Sequence, residues 1–295
     1  MKKIRYLFEA LFLLIILMIS KILPVTTASN FGGFIGRTIG PRLAASRKAE
    51  RNIRNIMTDK NDDQIKSIVT GMWENLGRVI MEYPHLDHIC RDRLTFIGAD
   101  KFPDDRDQPI MTFSGHLANW EVMPGALLHH ANFPVHSIYR APNNPISDYL
   151  LMKARTRKNN LKNIPKSKSG TREIVQSIKN NRNIGMLVDQ KYNEGIEIDF
   201  LGKPAMTSPI FAQLAKKYNC PLYPVSVKRL NGPNFEVTLH DPLRIDDKTN
   251  EQIVAESHEY LKTWIFENPE QWLWLHNRWI GKNRRLRKNQ KAKIK

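Results

Sequence analysis

"PIMTFSGHLANWEVMPGALLHH", Pro109 to His130, is the stretch on which the reading of this chain turns. "PIMTF" at 109–113 is a short, mostly apolar run of the kind that forms a buried strand. A Ser-Gly turn follows, and "NWEVMPGALLHH" reads as the next helix. His116 therefore falls just past the carboxyl end of a strand, and Glu121 falls in the first turn of a helix. Loops in that position are where open α/β sheets hold their ligands. The spacing alone carries no weight. With nine histidines and 29 acids in 295 residues, one histidine with an acid five places on is expected by chance. The weight comes from the strand end.

The same texture extends outward from there. "PVHSIY" (134–139), "NIGMLVD" (183–189), "CPLYPVSVKR" and "NFEVTLHDPL" read as strands. "GTREIVQSIKNN" reads as a helix, as does "SPIFAQLAKKYN", with Ser208 as N-cap and Pro209 at the first helical position. "TNEQIVAESHEYLKTWIFENP" opens on a Thr249/Gln252 capping box. Upstream, "NDDQIKSIVTGMWENLGRVIMEYP" has apolar residues at helical spacing, an Asn61/Gln64 capping box, and Pro84 to end it. Strands alternating with helices predict an α/β fold, a mixed central sheet flanked by helices. The expected organisation is an N-terminal membrane anchor over 1–28, an α/β domain over 29–281, and a basic tail over 282–295 that is expected to be disordered.

The anchor is read from "MKKIRYLFEALFLLIILMISKILPV". A helix from Tyr6 to Leu23 would be about 27 Å long, close to one bilayer core. Glu9 and Lys21 lie near its ends. The uninterrupted apolar part, Ala10 to Ile19, is short, so a cleaved signal peptide competes, with Ala28 as a poor cleavage site. The dense basic residues from Arg37 to Arg54 disfavour translocation and favour an uncleaved anchor. Whether it spans or lies shallow in one leaflet is left open. The glycines of "NFGGFIGRTIGPRL" lack the Gly-Lys-Ser/Thr of a phosphate loop and are read as a close-packed turn.

A net charge of +17 implies an anionic partner: nucleic acid, an anionic membrane, or an acidic protein or ligand. The apolar N-terminus and the lack of any nucleic-acid motif argue against nucleic acid. Cys90 and Cys220 form no CxxC, which argues against a disulfide framework or zinc ribbon. "HLDHIC" (85–90) has no further ligands at zinc spacing, and His129 and His130 read as a helix end.

The pair at the opening stretch suits general base catalysis. A neutral His116 would take a proton from a hydroxyl as that hydroxyl attacks a carbonyl. A carboxylate on the other ring nitrogen, expected from Glu121, would fix the tautomer. Ser114 sits in no GxSxG elbow, so direct transfer to a substrate hydroxyl is expected, with no protein nucleophile. Arg140 ends the strand at 134–139, where a guanidinium would bind a phosphate or stabilise an oxyanion. Asp189 and Gln190 end the strand at 183–189; the alternative for Asp189 is a loop cap or a structural arginine partner. Trp272, Trp274 and Trp279 near His276 and Arg278 read either as interfacial aromatics or as core.

"GHLANWE" resembles the His-x4-Asp/Glu motif of the bacterial lipid A biosynthesis (lauroyl/myristoyl) acyltransferases. The resemblance takes in the apolar N-terminal helix, "FGGFIGRTIG", "NLGRVIMEY", "IYRAPNNP", "GMLVDQKYNEGIEIDFLGKPAMTSP" and "PEQWLWLHNRW", nearly the whole chain. It implies a glycerolipid-acyltransferase-like fold and an inner-membrane enzyme whose catalytic domain faces the cytoplasm. Such an enzyme moves a fatty acyl chain from an acyl thioester, usually acyl carrier protein, to the hydroxyl of a 3-hydroxyacyl chain on a Kdo-bearing lipid A precursor. An anionic glycolipid acceptor and an anionic membrane surface complete the implied partners, with no metal or organic cofactor. An enzyme of the same fold with another glycolipid or lysophospholipid acceptor is the alternative. Glu at position 121 is the acid usual for the lipid A branch, where related glycerolipid acyltransferases carry Asp. The resemblance supports Arg140 as a site residue and sets Phe200, Gly202 and Thr207 on the family pattern, as groove lining or as packing.

Overall fold

A computed structural model of the chain describes residues 2–103, 107–155 and 161–279. Helices come first: α1 (Lys2–Ile22), α2 (Val25–Ile39), α3 (Ser46–Ile56), α4 (Asp62–Glu82) and α5 (Leu86–Asp92). There follow β1 (Leu94–Ile97), β2 (Met111–Ser114), α6 (Met123–Ala131), β3 (Val135–Tyr139), α7 (Pro145–Arg155), β4 (Asn163–Pro165) and α8 (Lys168–Lys179). The chain continues with β5 (Asn183–Leu187), β6 (Ile196–Phe200), β7 (Lys203–Thr207), α9 (Ile210–Lys217), β8 (Leu222–Asn231), β9 (Asn234–Leu239) and α10 (Asn250–Glu267). The basic tail at 282–295 lies outside the described residues.

Among the described residues, seven strands form one sheet in the order β1-β9-β8-β2-β5-β3-β4, and β6 and β7 form a separate hairpin. Every neighbouring pair in the large sheet is parallel except β8 with β9. The expected mixed sheet with flanking helices is the fold. β2 is the central strand and all four of its residues are buried. That burial on both faces is why it reads as an apolar run and not as an alternation. The sheet divides the core. Met111, Phe113, Ile184 and Met186 pack with α8, α9 and α10, while Ile110, Val135 and Val225 pack with α5 and α6. Both expected capping boxes are present, at Asn61/Gln64 and Thr249/Gln252. Ser208 lies one residue short of the cap, which is Pro209.

Two expectations at the N-terminus are corrected. The glycine-rich segment is no turn but the body of α2, packed along α4. A Cβ on Gly36 would stand 2.1 Å from the Trp73 carbonyl oxygen, and one on Gly77 2.1 Å from that of Gly32. The glycines let two helix backbones touch. The second correction concerns spanning. Among the described residues no helix is long and apolar enough to cross a membrane. Every membrane-length window of α1 takes in Arg5 and Glu9, which are costly in hydrocarbon. Instead α1 lies along the domain. Ala10 and Ser20 are buried against it, and the Ser20 hydroxyl donates to the Met81 carbonyl. The outward row Ile4, Leu7, Leu11, Ile15, Met18 and Ile22 stays exposed at helical spacing. α2, which runs through residue 28, adds exposed Phe31, Phe34 and Ile39.

Candidate active site

Parallel register places the site. Ser114 of β2 is paired with Leu187 of β5, and the Val188 N–H donates to the Ser114 carbonyl at 2.9 Å. Two residues past that last pair, just beyond the two strand ends, the chain reaches His116 on one side and Asp189 on the other. β3 is the other neighbour of β5 and ends one residue before Arg140. The three strand ends therefore meet at one edge of the sheet, against a cavity of about 880 Å³. His116, Glu121, Arg140 and Gln190 line it, with Leu161, Ile174 and Met186 on an apolar wall.

The imidazole of His116 is held on both sides. Nδ1 lies 2.7 Å from Asp189 Oδ1, and the His116 backbone N–H donates to Asp189 Oδ2 at 2.9 Å. The indole N–H of Trp272 donates to the same Oδ2 at 2.8 Å. Burial alone would raise the Asp189 carboxyl. The charge and hydrogen bonds of His116, with the Trp272 indole, outweigh it and hold the group far below the usual carboxylate range. An ionised Asp189 draws a proton onto Nδ1, so in the neutral ring Nε2 carries the lone pair on the cavity side. The Gln190 amide meets that lone pair at 3.1 Å, so its N–H donates.

This corrects the expectation for Glu121. Asp189, not Glu121, holds the imidazole. The Asn119 side chain accepts the Glu121 N–H at 3.1 Å and caps a tight turn over Trp120–Val122. That turn sends the Glu121 carboxylate to Arg155, which donates through Nε at 2.8 Å and Nη2 at 2.5 Å. The Tyr83 hydroxyl adds a third bond at 2.8 Å. Burial would raise the Glu121 carboxyl, but the Arg155 guanidinium prevails and lowers it. Glu121 stays beside the base through Trp120, whose ring lies 5.0 Å from that of His116.

The remaining assignments divide. Arg140 is exposed on the cavity rim. Ser114 is fully buried, and its hydroxyl has no partner among the described residues. Gly115 serves close packing, since a Cβ there would meet Leu261 Cδ2 at 2.8 Å, and the left-handed residue of the turn is Ala118. Phe200 and Thr207 are buried in the hairpin and exposed Gly202 turns it at positive φ; none of the three lines the cavity. Trp272 and Trp274 are core, at 2% and 0% exposure. Their segment pairs with the His116 loop through Leu117 and Trp272, and the Leu273 N–H donates to the His116 carbonyl at 3.2 Å. Arg278 is buried and donates to the Met206 carbonyl and the Thr207 hydroxyl.

Beneath the loop lies a second polar network. Arg229 donates to both oxygens of Glu82 at 2.5 and 3.0 Å, and Asn119 donates to Glu82 Oε2 at 2.8 Å. Asn75 accepts from Arg229 Nε and donates to the Ala118 carbonyl at 2.9 Å. Sequence reasoning missed Tyr83, Arg155 and the role of Trp272. The signal for Arg155 was available, because Asn144 followed by Pro145 is a helix start.

The family model for bacterial lipid A biosynthesis acyltransferases matches residues 1–280. A lipid A biosynthesis acyltransferase of Haemophilus influenzae is 21% identical over 275 residues, covering 88% of this chain and 83% of that protein. Among solved structures, the 1-acyl-sn-glycerophosphate acyltransferase of Thermotoga maritima matches 92% of this chain and 100% of its own at 13% identity, with a TM-score of 0.43.

Proposed function

The chain belongs to the bacterial lipid A biosynthesis acyltransferase family and is an O-acyltransferase of lipid biosynthesis, and on that premise we propose its reaction. It moves a fatty acyl chain from an acyl thioester, carried by acyl carrier protein, to the hydroxyl of a 3-hydroxyacyl chain on a Kdo-lipid A precursor. The observation that carries this reading is the Nε2 of His116, met by the Gln190 amide at 3.1 Å and facing a cavity with an apolar wall. The acceptor hydroxyl takes the place of the Gln190 amide at Nε2. His116 removes its proton as the oxygen forms a bond to the thioester carbon. The tetrahedral intermediate collapses with cleavage of the carbon–sulfur bond, and the imidazolium returns the proton to the departing thiolate. Asp189 stabilises the imidazolium in between. Arg140 binds a phosphate of the acceptor or stabilises the oxyanion. Burial of the Ser114 hydroxyl favours direct transfer over an acyl-enzyme.

The enzyme works on the cytoplasmic face of the inner membrane, with the apolar rows of α1 and α2 shallow in the leaflet and Lys3, Arg5 and Lys21 among anionic headgroups. Mass spectrometry of lipid A from cells with and without the gene tests the substrate. A missing acyl chain is expected, and an unchanged lipid A would overturn the acceptor. His116→Ala should lower turnover by about 100-fold or more with the fold intact. Near wild-type turnover, or an acyl-serine trapped without acceptor, would overturn the mechanism.

A further inference from the structure

Arg155 stands on a helix that has little of its own to hold it. α7 is 11 residues long and has no fully buried residue. A short helix of that kind is placed by its contacts, not by its own stability. Asn144, 5% exposed, secures the start of α7 in two ways. Its Oδ1 accepts the N–H groups of Ile146 at 3.1 Å and Ser147 at 3.4 Å, which caps the helix. Its Nδ2 donates to the Tyr6 carbonyl at 2.8 Å and the Glu9 carboxylate at 3.2 Å, both on α1. The far end of α7 is secured by Arg155, which grips Glu121, donates to the Tyr83 hydroxyl at 3.0 Å, and lies over the rings of Tyr83 and Tyr139.

We propose that Asn144 and Arg155 are positioning residues, through which the seating of α1 sets the placement of Glu121 beside His116. Glu121 is a largely buried carboxylate whose counter-charge is supplied by α7. If α7 shifts, that carboxylate must follow the guanidinium or lose its compensation. Through Trp120, whose indole donates to Glu121 at 3.1 Å and whose ring lies 5.0 Å from that of His116, a shift of Glu121 reaches the imidazole. The inference rests on the acyl-transfer reading only for its activity readout.

Asn144→Asp separates the two duties of Asn144. An aspartate caps a helix as well as an asparagine does. It has no donor for Tyr6 and sets a second carboxylate against Glu9. The expected result is a folded protein with unchanged circular dichroism and faster amide hydrogen exchange over 145–155 and 119–123. Its kcat for transfer between an acyl thioester and a hydroxyl acceptor should fall by about tenfold to a hundredfold, the order for a displaced reacting group, with little change in KM. Arg155→Ala should act on the same step, so the double variant should be no slower than the slower single one. Unchanged exchange in Asn144→Asp, or losses that multiply in the double variant, would overturn the coupling. Failure of the wild type to turn over this substrate pair would overturn the acyl-transfer reading instead, and the exchange comparison would still decide the coupling.

Discussion

Asp189 accepts from His116 twice, at the ring nitrogen and at the backbone N–H, although 73 residues separate them. The double contact fixes both the tautomer and the pose of the ring. Asp189→Asn removes the charge and puts an amide where a carboxylate accepted. By analogy with other imidazole–carboxylate pairs, kcat should fall by on the order of 10³–10⁴-fold with KM little affected. Steady-state kinetics check it, and a loss of about tenfold or less would place the orienting role elsewhere.

Glu121 and Arg155 should behave as a pair. Their side chains are 11% and 16% exposed, so removing one strands the other in a poorly hydrated site. Glu121→Ala should cost about 3 kcal/mol of stability. Adding Arg155→Ala should recover part of that loss. Urea unfolding of the two single variants and the double variant measures the coupling.

His258 should give the fold an acid limb. Burial first, and then the Arg278 charge, lower its folded value to about 4 from 6.5. A depressed value means the fold prefers the neutral ring. The contribution is therefore complete above the unfolded value and is lost as pH falls through the folded one, between 6.5 and about 4. Its size is on the order of 3 kcal/mol. The urea midpoint should drop across that window in the wild type and drop less in His258→Gln. Asp189 and Glu121, both depressed, add losses only below the ordinary carboxylate range.

Gly36→Ala should force α2 away from α4, because the new methyl would meet a backbone oxygen that cannot rotate aside. A loss of about 1–3 kcal/mol is expected, as for other overpacked contacts. Gly202→Ala is the control for placement: no atom lies within 4 Å of a Cβ there, and its cost should come from the positive φ alone. Thermal unfolding compares the two.

Much of the fold was legible because burial on both faces of the sheet leaves apolar runs in the sequence. That signal placed β2, β3 and β5, and with them His116, Arg140 and Asp189. It could not say which carboxylate meets the imidazole. Glu121 was near in sequence, whereas Asp189 comes close only through parallel pairing, and strand neighbours cannot be counted from one sequence. β1 and β4 escaped because they are edge strands of three or four residues with little burial. α7 escaped because the run Pro142-Asn143-Asn144-Pro145 that leads into it resembles a loop and the helix buries no residue, and Arg155 went with it. In α2, glycine was read as turn chemistry when its use was to let two helices touch. The length of α1 suggested spanning, but Arg5 and Glu9 and the contacts of Ser20 set it along the protein.

The equal overrun of β2 and β5 has a consequence for how this enzyme tolerates change. Base and orienter are each counted out from the same hydrogen-bonded rung, Ser114 with Leu187. Apolar exchange within either strand leaves that count untouched, so the interior of the sheet is free to drift in composition. Removal of one residue between 114 and 116, or between 187 and 189, turns one side chain to the opposite face and parts the dyad. Tolerance within the strands is to spelling and not to length, and a deletion scan would find sharp losses at those few positions where apolar exchange inside the strands would find none.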